Sequence, residues 1–573
     1  MNGRSRSRRR VAGLTSAVLG FKRWPMWQQL PIYLFLCAFV GFPLIKLFVD
    51  AFAAPDGSFT LEYFSGFLCD GYYLKALLNS MILSMGTVIA ASLLGFAASY
   101  FLVRYDFPGR KVFSYLTMVP IIMPPLVGVM GFVFILGRAG TLNVVLMDYL
   151  GLRHPINFIY GWHGVLLVET LHLFPLISMN VVDALGKIDA SLEEAAESVG
   201  STGLRRLRDI TMPLTTPGFV TGALLVFMWT FADFATPLVV GVQNLLAPQA
   251  YLNIVQFVDR RLFQMGITIG ALLVLMAIVF LVAAKQYIAA KDYATLSYRP
   301  VERRTLSGAR AWAITGFFAV VLAMAFIPYL GVGLAAFGRG WSLTPFPVEY
   351  TLRYFERVIV ETPKFVVNTF LYCGLAVILC VLVGVPIAWT LARTRLPGRG
   401  LLDALVTLVL ALPGTAIGIA YIRAFNVPLP RLGVALTDLW LIMPVVLAVR
   451  RLPYTVRSTH GSLLVLHESL EEAARSVGAR GMRVFMDITL PLIWKGILAG
   501  ALFSFMTSIQ EAAATILLAV PGWETMTVGI FTFYTSGSIN EAAALGFILI
   551  VVGAASLFVA NRLGGARMGG FYA

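Results

Sequence analysis

Charge is what this 573-residue chain most lacks: Asp, Glu, Lys and Arg make up 13% of it, about half the share of an ordinary soluble protein. So little polar surface cannot coat a globule in water, which excludes a soluble enzyme or binding module. Cysteine is nearly absent too. The four present (Cys37, Cys69, Cys373 and Cys380) form no C-x-x-C pair, so neither a disulfide framework nor a zinc site is supported. There is no G-x-x-x-x-G-K-[ST] loop, and the chain cannot hydrolyse ATP by that route. His467-Glu468 opens "HESLE" like a zincin helix, but Glu471 stands where the second His ligand belongs. No catalytic residue and no metal ligand set is assigned.

What is there instead is apolar: 58% of residues are hydrophobic and the mean hydropathy is +0.82. Runs near the ~20 residues that cross a bilayer as a helix recur throughout, so the fold class is an all-α polytopic membrane protein of about 12 transmembrane helices. The expected spans are 28–52, 78–103, 112–136, 162–185, 214–240 and 265–288, then 311–336, 367–392, 401–425, 435–457, 493–519 and 541–561.

The net charge of +15 is gathered in alternate loops. Basic residues cluster at Arg4–Arg10, Arg104, Arg110 and Lys111, across 291–310, at Arg393, Arg395 and Arg399, and at Arg562 and Arg567, while Asp50, Asp56, Glu62 and Asp70 fall in the loops between. That bias puts the basic loops and both termini on the cytoplasmic side of the membrane. Membrane lipid is therefore a partner and nucleic acid is not, because no basic patch sits on a water-soluble module. "AFA" at Ala51–Ala53 resembles a cleavage site, but the apolar stretch before it is too long for a signal peptide. It reads as an uncleaved first span.

One polar phrase is written twice. "LEEAAESVGSTGLRRLRDITMP" (192–213) and "LEEAARSVGARGMRVFMDITLP" (470–491) share 14 of 22 positions at an offset of 278. Upstream, Asn79 matches Asn368, Arg104 matches Arg393, Pro108-Gly109-Arg110 matches Pro397-Gly398-Arg399 and Pro124 matches Pro413, all at an offset of 289. The first half thus holds 289 − 278 = 11 extra residues, assigned to an external loop at 137–158. This is a parallel duplication: a first domain at 1–290, a cytoplasmic linker at 291–310 and a second domain at 311–573. Six spans separate the two polar copies, so both face the same, cytoplasmic, side.

In each copy Ser-x-x-Glu, from Ser191 and Ser469, reads as a capping box with Glu194 and Glu472. Gly200 and Gly478 then stand where a left-handed residue ends a helix. A second short helix, Leu204–Ile210 or Met482–Ile488, is expected to lead to Pro213 or Pro491 at the mouth of the next span. Loops usually vary more than the spans they join, and here the loop is the better preserved. A surface kept alike in both halves suggests two identical partners below the membrane.

These loops (191–213 and 469–491) resemble the EAA loop of type I ABC importer permeases: Glu194-Ala195-Ala196, Gly200 and Pro213 in one copy, Glu472-Ala473-Ala474, Gly478 and Pro491 in the other. The resemblance implies a fused pair of permease domains of the ferric-iron type. It implies two copies of an ABC ATPase subunit docked on the loops, an external or periplasmic substrate-binding protein, and no cofactor in this chain, ATP and Mg being bound by the ATPases. Ferric iron is the implied substrate, with aminoethylphosphonate, sugar phosphate, thiamine and polyamine as alternatives. A secondary transporter with parallel repeats is the rival class, but it has no need of duplicated docking loops.

Four ionisable residues inside spans are candidates for the pathway. Glu169 and His172 lie three apart in "VETLH", on one helical face, while the matching positions of the other half are Leu447 and Arg450. Asp233 and Glu511 each follow the exit proline by 20 residues, roughly 30 Å up the span and near its external end. An acid at both favours the mouth of a shared pathway. Arg450 and Arg451 read as snorkelling toward the cytoplasmic headgroups, with a role at the inner gate or at the interface of the halves as the alternative.

Overall fold

The computed structural model describes residues 30–564 apart from 55, 257, 290–302, 342–343, 395–397, 431–432 and 480. The basic cluster at 4–10 and most of the linker at 291–310 lie outside the described residues. The helices of the first half are α1 (Leu30–Ala51), α2 (Gly71–Arg104), α3 (Pro125–Leu136), α4 (Trp162–Gly186), the short α5 (Ala190–Ser198), α6 (Met212–Ala232) and α7 (Arg260–Ala289). Those of the second are α8 (Ala309–Phe337), α9 (Lys364–Arg393), α10 (Arg399–Ala411), α11 (Gly414–Phe425), α12 (Ile442–Val465), the short α13 (Glu468–Ser476), α14 (Leu490–Ile509) and α15 (Ile539–Gly564). Their outer faces expose large apolar side chains such as Ile82, Leu93 and Leu382, as a lipid-facing surface must.

Among the described residues, ten helices are long and apolar enough to span a membrane, and up to eleven if the bent pair α10–α11 is one span. The shortfall from twelve has a physical cause. Helix α12 has 24 residues, about 36 Å of rise, but carries Arg450, Arg451 and Arg457 and so fails on composition rather than length. It packs between α9 and α14.

The third span of each half is broken rather than continuous. Helices α10 and α11 meet at 113° around Pro413, whose ring clashes with a preceding turn and whose nitrogen has no proton to donate. The matching stretch of the first half breaks at Pro120, Pro124 and Pro125 into Arg110–Leu116, a 3₁₀ turn at Val119–Ile122, and α3. The expected external loop at 137–158 contains a helix, Thr141–Leu150. Buried Asn143 pins it, donating to Gly137 O and Ile156 O at 2.9 and 2.8 Å and accepting from Ile156 N at 2.7 Å.

Each half lends its first helix to the other. Helix α8 crosses α3 so closely that a Cβ on Gly131 would sit 2.2 Å from Pro328 O, and one on Gly331 2.2 Å from Gly131 O. Small residues permit such close approach where no hydrophobic force drives association. Helix α1 packs on α11: Tyr421 Oη donates to Phe39 O at 2.7 Å, and Arg423 pairs with Asp50 at 2.6 Å. Asp50, expected in an external loop, is a buried carboxylate of α1, also held by Lys46 at 2.7 Å.

Candidate coupling loops and pathway cavity

The two polar phrases fold alike. Helix α5 starts from Asp189, whose carboxylate accepts Ser191 N at 2.9 Å, and α13 from His467, whose Nδ1 accepts Ser469 N at 3.3 Å. Both caps have extended backbone (φ −73°, ψ 133° and φ −67°, ψ 132°), so Ser191 and Ser469 fall inside the first turn and the expected capping boxes do not form. The glycine corners do form. Gly200 and Gly478 have φ of +82° and +91°. Ser201 N reaches Ala196 O at 2.9 Å and Gly200 N reaches Glu197 O at 3.0 Å; Ala479 N and Gly478 N make the same pair of bonds at 3.1 and 2.9 Å. This is a Schellman motif in both copies.

The second helix of each phrase is not separate. Gly203–Arg206 passes through a π turn at Leu207–Thr211 straight into α6, and Gly481–Val484 passes through Phe485–Thr489 into α14. Pro213 and Pro491 sit in the first turn of those spans. On the loop surface Glu194, Ala195, Gly200, Glu472, Ala473 and Gly478 are exposed, while Ala196 is buried and Ala474 half-buried. Apolar side chains are exposed at matching positions: Val199 at 83% and Val477 at 85%.

Sequence reasoning missed what holds these loops in place. Glu193 and Glu471, one residue before each motif glutamate, are buried and paired with Arg104 and Arg393 at the ends of α2 and α9. Arg393 lies 3.4 Å from Glu471, which also accepts from Thr489 at 3.1 Å. The signal was available: all four residues recur in both halves. In the first copy a strand β2 (Arg304–Thr305) pairs in parallel with β1 (Tyr105–Asp106), and Arg304 bonds Glu197 at 2.5 Å. That hydrogen bond, with the charges of Arg304 and Arg206, holds the Glu197 carboxyl below the usual carboxylate range.

All four pathway candidates line one cavity of about 140 Å³ between the halves. Asp233 ends α6 and accepts the amides of Ala235 and Thr236 at 3.0 and 3.1 Å; Glu511 follows α14 and accepts Ala514 N at 3.1 Å. Both acids stand at the far ends of α6 and α14, and those ends face a cavity inside the molecule. Val240 O accepts Gly161 N at the start of α4, and Asp233 lies seven residues before it, beside Glu169, which is itself seven residues, about 10 Å, into α4.

The walls differ in charge. On one side Glu169, 3% exposed, accepts from Thr230 at 3.4 Å next to Asp233, and His172 bonds Pro120 O at 3.0 Å. On the other, Arg450 and Arg451 both grip Glu511, at 2.9 and 2.6 Å. These arginines do not snorkel to the headgroups: they are turned inward because a buried carboxylate compensates them. Gly414 makes room, since a Cβ there would lie 2.2 Å from Arg450 Nη1. That nitrogen has no hydrogen-bond partner among the described residues. Among the described residues, too, no group of three or more His, Cys, Asp or Glu could hold a metal ion.

The broken third span and the loops occur as matched pairs, and comparison with known proteins repeats the pairing. A family described as "Binding-protein-dependent transport system inner membrane component" matches twice, over residues 91–295 and 384–569. The chain belongs to this family. It is an ABC importer permease with two fused permease units, multi-pass in the inner membrane. The permease is 27% identical over 566 residues to the "Ferric transport system permease protein FbpB" of Actinobacillus pleuropneumoniae, covering 95% of this chain and 80% of the relative. It is 27% identical over 494 residues to the "Putative ferric transport system permease protein FbpB 1" of Haemophilus influenzae, covering 85% and 77%. Over 220 residues, 38% of this chain and 77% of the relative, it is 30% identical to the "Putative 2-aminoethylphosphonate transport system permease protein PhnU" of Salmonella typhimurium.

Proposed function

We propose that this permease imports ferric iron handed over by an external binding protein, with a separate ATPase subunit docked on each coupling loop. The FbpB relatives support the substrate. The observation that carries the two-ATPase reading is the matched exposure of Val199 and Val477 beside identical left-handed corners: two like partners need two like surfaces. The chain itself needs no cofactor, because ATP and Mg belong to the ATPases. Both termini are cytoplasmic, and the domains divide at the 291–310 linker.

Iron crosses by way of the central cavity, where Glu169 and Asp233 offer hard carboxylate oxygens to a hard cation. The cavity is a passage and not a resident metal site. The partnerless Arg450 Nη1 in the same cavity favours a second reading, an anion such as a phosphonate, in keeping with the PhnU relatives. Uptake of radiolabelled ferric iron by cells carrying the permease with its ATPase and binding protein tests the first. Iron uptake that needs the permease and falls in Glu169→Gln with Asp233→Asn upholds it. No iron uptake, with accumulation of labelled 2-aminoethylphosphonate, would replace it with the second.

A further inference from the structure

The two copies of the coupling loop satisfy the same arginine differently. In the second copy Arg393 is fully engaged: Nε faces Glu471 at 3.4 Å, Nη1 faces Glu468 at 3.5 Å, and Nη2 donates to Leu463 O and Leu466 O at 3.0 and 2.7 Å. In the first copy the Arg104 side chain is only 6% exposed and pairs with Glu193 through Nη2, but its Nη1 has no hydrogen-bond partner among the described residues. One residue accounts for this. The place of Glu468 in the repeat is taken by Ala190 (468 − 278 = 190), which has no carboxylate.

Where that carboxylate is missing there is a cavity of about 300 Å³, lined by Arg104, Ala190, Arg206, Arg303 and Arg304 among others. Its four guanidiniums face the three carboxylates of Glu193, Glu194 and Glu197, and Arg206 and Arg304 share the Glu197 carboxylate. We infer that this cavity binds a small oxyanion, a phosphate or carboxylate group, in the position that the Glu468 carboxylate holds in the other half. Guanidinium forks suit such groups, and an unpaired buried donor gains most from one. The volume admits inorganic phosphate, a small organic acid or the headgroup of an anionic lipid.

The bound anion joins three parts of the chain: Arg104 at the end of α2, Arg206 after the glycine corner, and Arg304 on β2. Binding in this geometry favours this geometry, so the anion fastens the first coupling loop to the segment that connects the halves. Among the described residues the second loop shows no such device.

The test uses the purified full-length permease in phosphatidylcholine nanodiscs, with thermal unfolding followed as sodium phosphate or citrate is titrated at constant ionic strength. The expected result is a saturable rise in Tm for the wild type and none for Ala190→Glu, which supplies the missing carboxylate from the chain itself. A rise that requires phosphatidylglycerol in the disc, and is again absent in Ala190→Glu, assigns the same site to a lipid headgroup. The proposal is overturned if no anion or lipid gives a saturable rise, or if Ala190→Glu responds like the wild type. Should Ala190→Glu fail to fold, Arg206→Val, which installs the residue of the second copy, takes its place. Loss of that charge-assisted bond should weaken binding about tenfold, and unchanged binding refutes the site.

Discussion

Helices α5 and α13 turn the same face outward, with the same glycine corner behind it, but they are braced by different means. Behind α5 stand β2, Arg304 and an arginine pair sharing Glu197. Behind α13 stand a histidine cap, Glu468 and two main-chain carbonyls that take up Arg393. Glu197 and Arg206 of the first copy are Arg475 and Val484 in the second. Glu194, Val199 and Gly200 are kept as Glu472, Val477 and Gly478, and the Arg104–Glu193 pair recurs as Arg393–Glu471, while the supports around that pair differ. The cavity follows the same rule: an acid is kept at Asp233 and Glu511, but only the second is gripped by arginine.

The widest divergence should appear at those two acids. Glu511→Gln leaves two buried guanidiniums without their carboxylate, which costs about 3–5 kcal/mol and should lower Tm sharply. Asp233→Asn faces no arginine and should lower uptake while Tm stays within about 1 kcal/mol of wild type. Equal losses of Tm would mean that the division between structural and pathway acid is wrong. Next come the glutamates behind the loops. Glu193→Ala removes the ion pair that Arg104 makes among the described residues, whereas Glu471→Ala leaves Arg393 its carbonyls and Glu468, so the first should be the more destabilising by about 1–3 kcal/mol in thermal unfolding.

Gly200→Asp and Gly478→Asp each force a left-handed residue, a strain of about 1–2 kcal/mol, in open space. Membrane insertion should persist and uptake should fail in both; full uptake in both would rule out coupling through these corners. The smallest effect is the acid response of the strap. Because Arg304 holds the Glu197 carboxyl low, the ion pair strengthens the folded state above about pH 4.3, the ordinary value, and this contribution fades as the pH falls through the lowered one. Amide exchange at 304–306 should therefore quicken in acid, with no matching change around Thr394. The absence of any quickening would show that Glu197 does not hold the strap.

Periodicity and duplication made much of this legible in sequence. Apolar runs gave the spans, and two copies gave the loops and the paired acids. What stayed hidden depended on contacts between distant blocks. Arg104 and Glu193 belong to stretches that repeat at different offsets, so their pairing emerges only once both are aligned. Arg450 and Arg451 look like headgroup anchors until Glu511, sixty residues beyond Arg451, is found against them. The apolar runs 112–136 and 401–425 read as continuous spans, and the 113° bend at Pro413 shows only in three dimensions. Asp189 outcompetes Ser191 as a cap because it lies two residues earlier with extended backbone, a choice that the Ser-x-x-Glu pattern conceals.

The crossing of α1 onto α11 bears on how the chain is made. Arg423 lies 373 residues after Asp50, which at about 5–20 residues per second is roughly 20–75 s of synthesis. Throughout that interval α1 must sit among lipids with its acid unclaimed by the second half. Lys46, one turn earlier on the same helix, already neutralises it at 2.7 Å. The first helix thus carries a temporary escort for its own charge, and docking of α11 converts a local pair into the clasp that closes the two halves around each other.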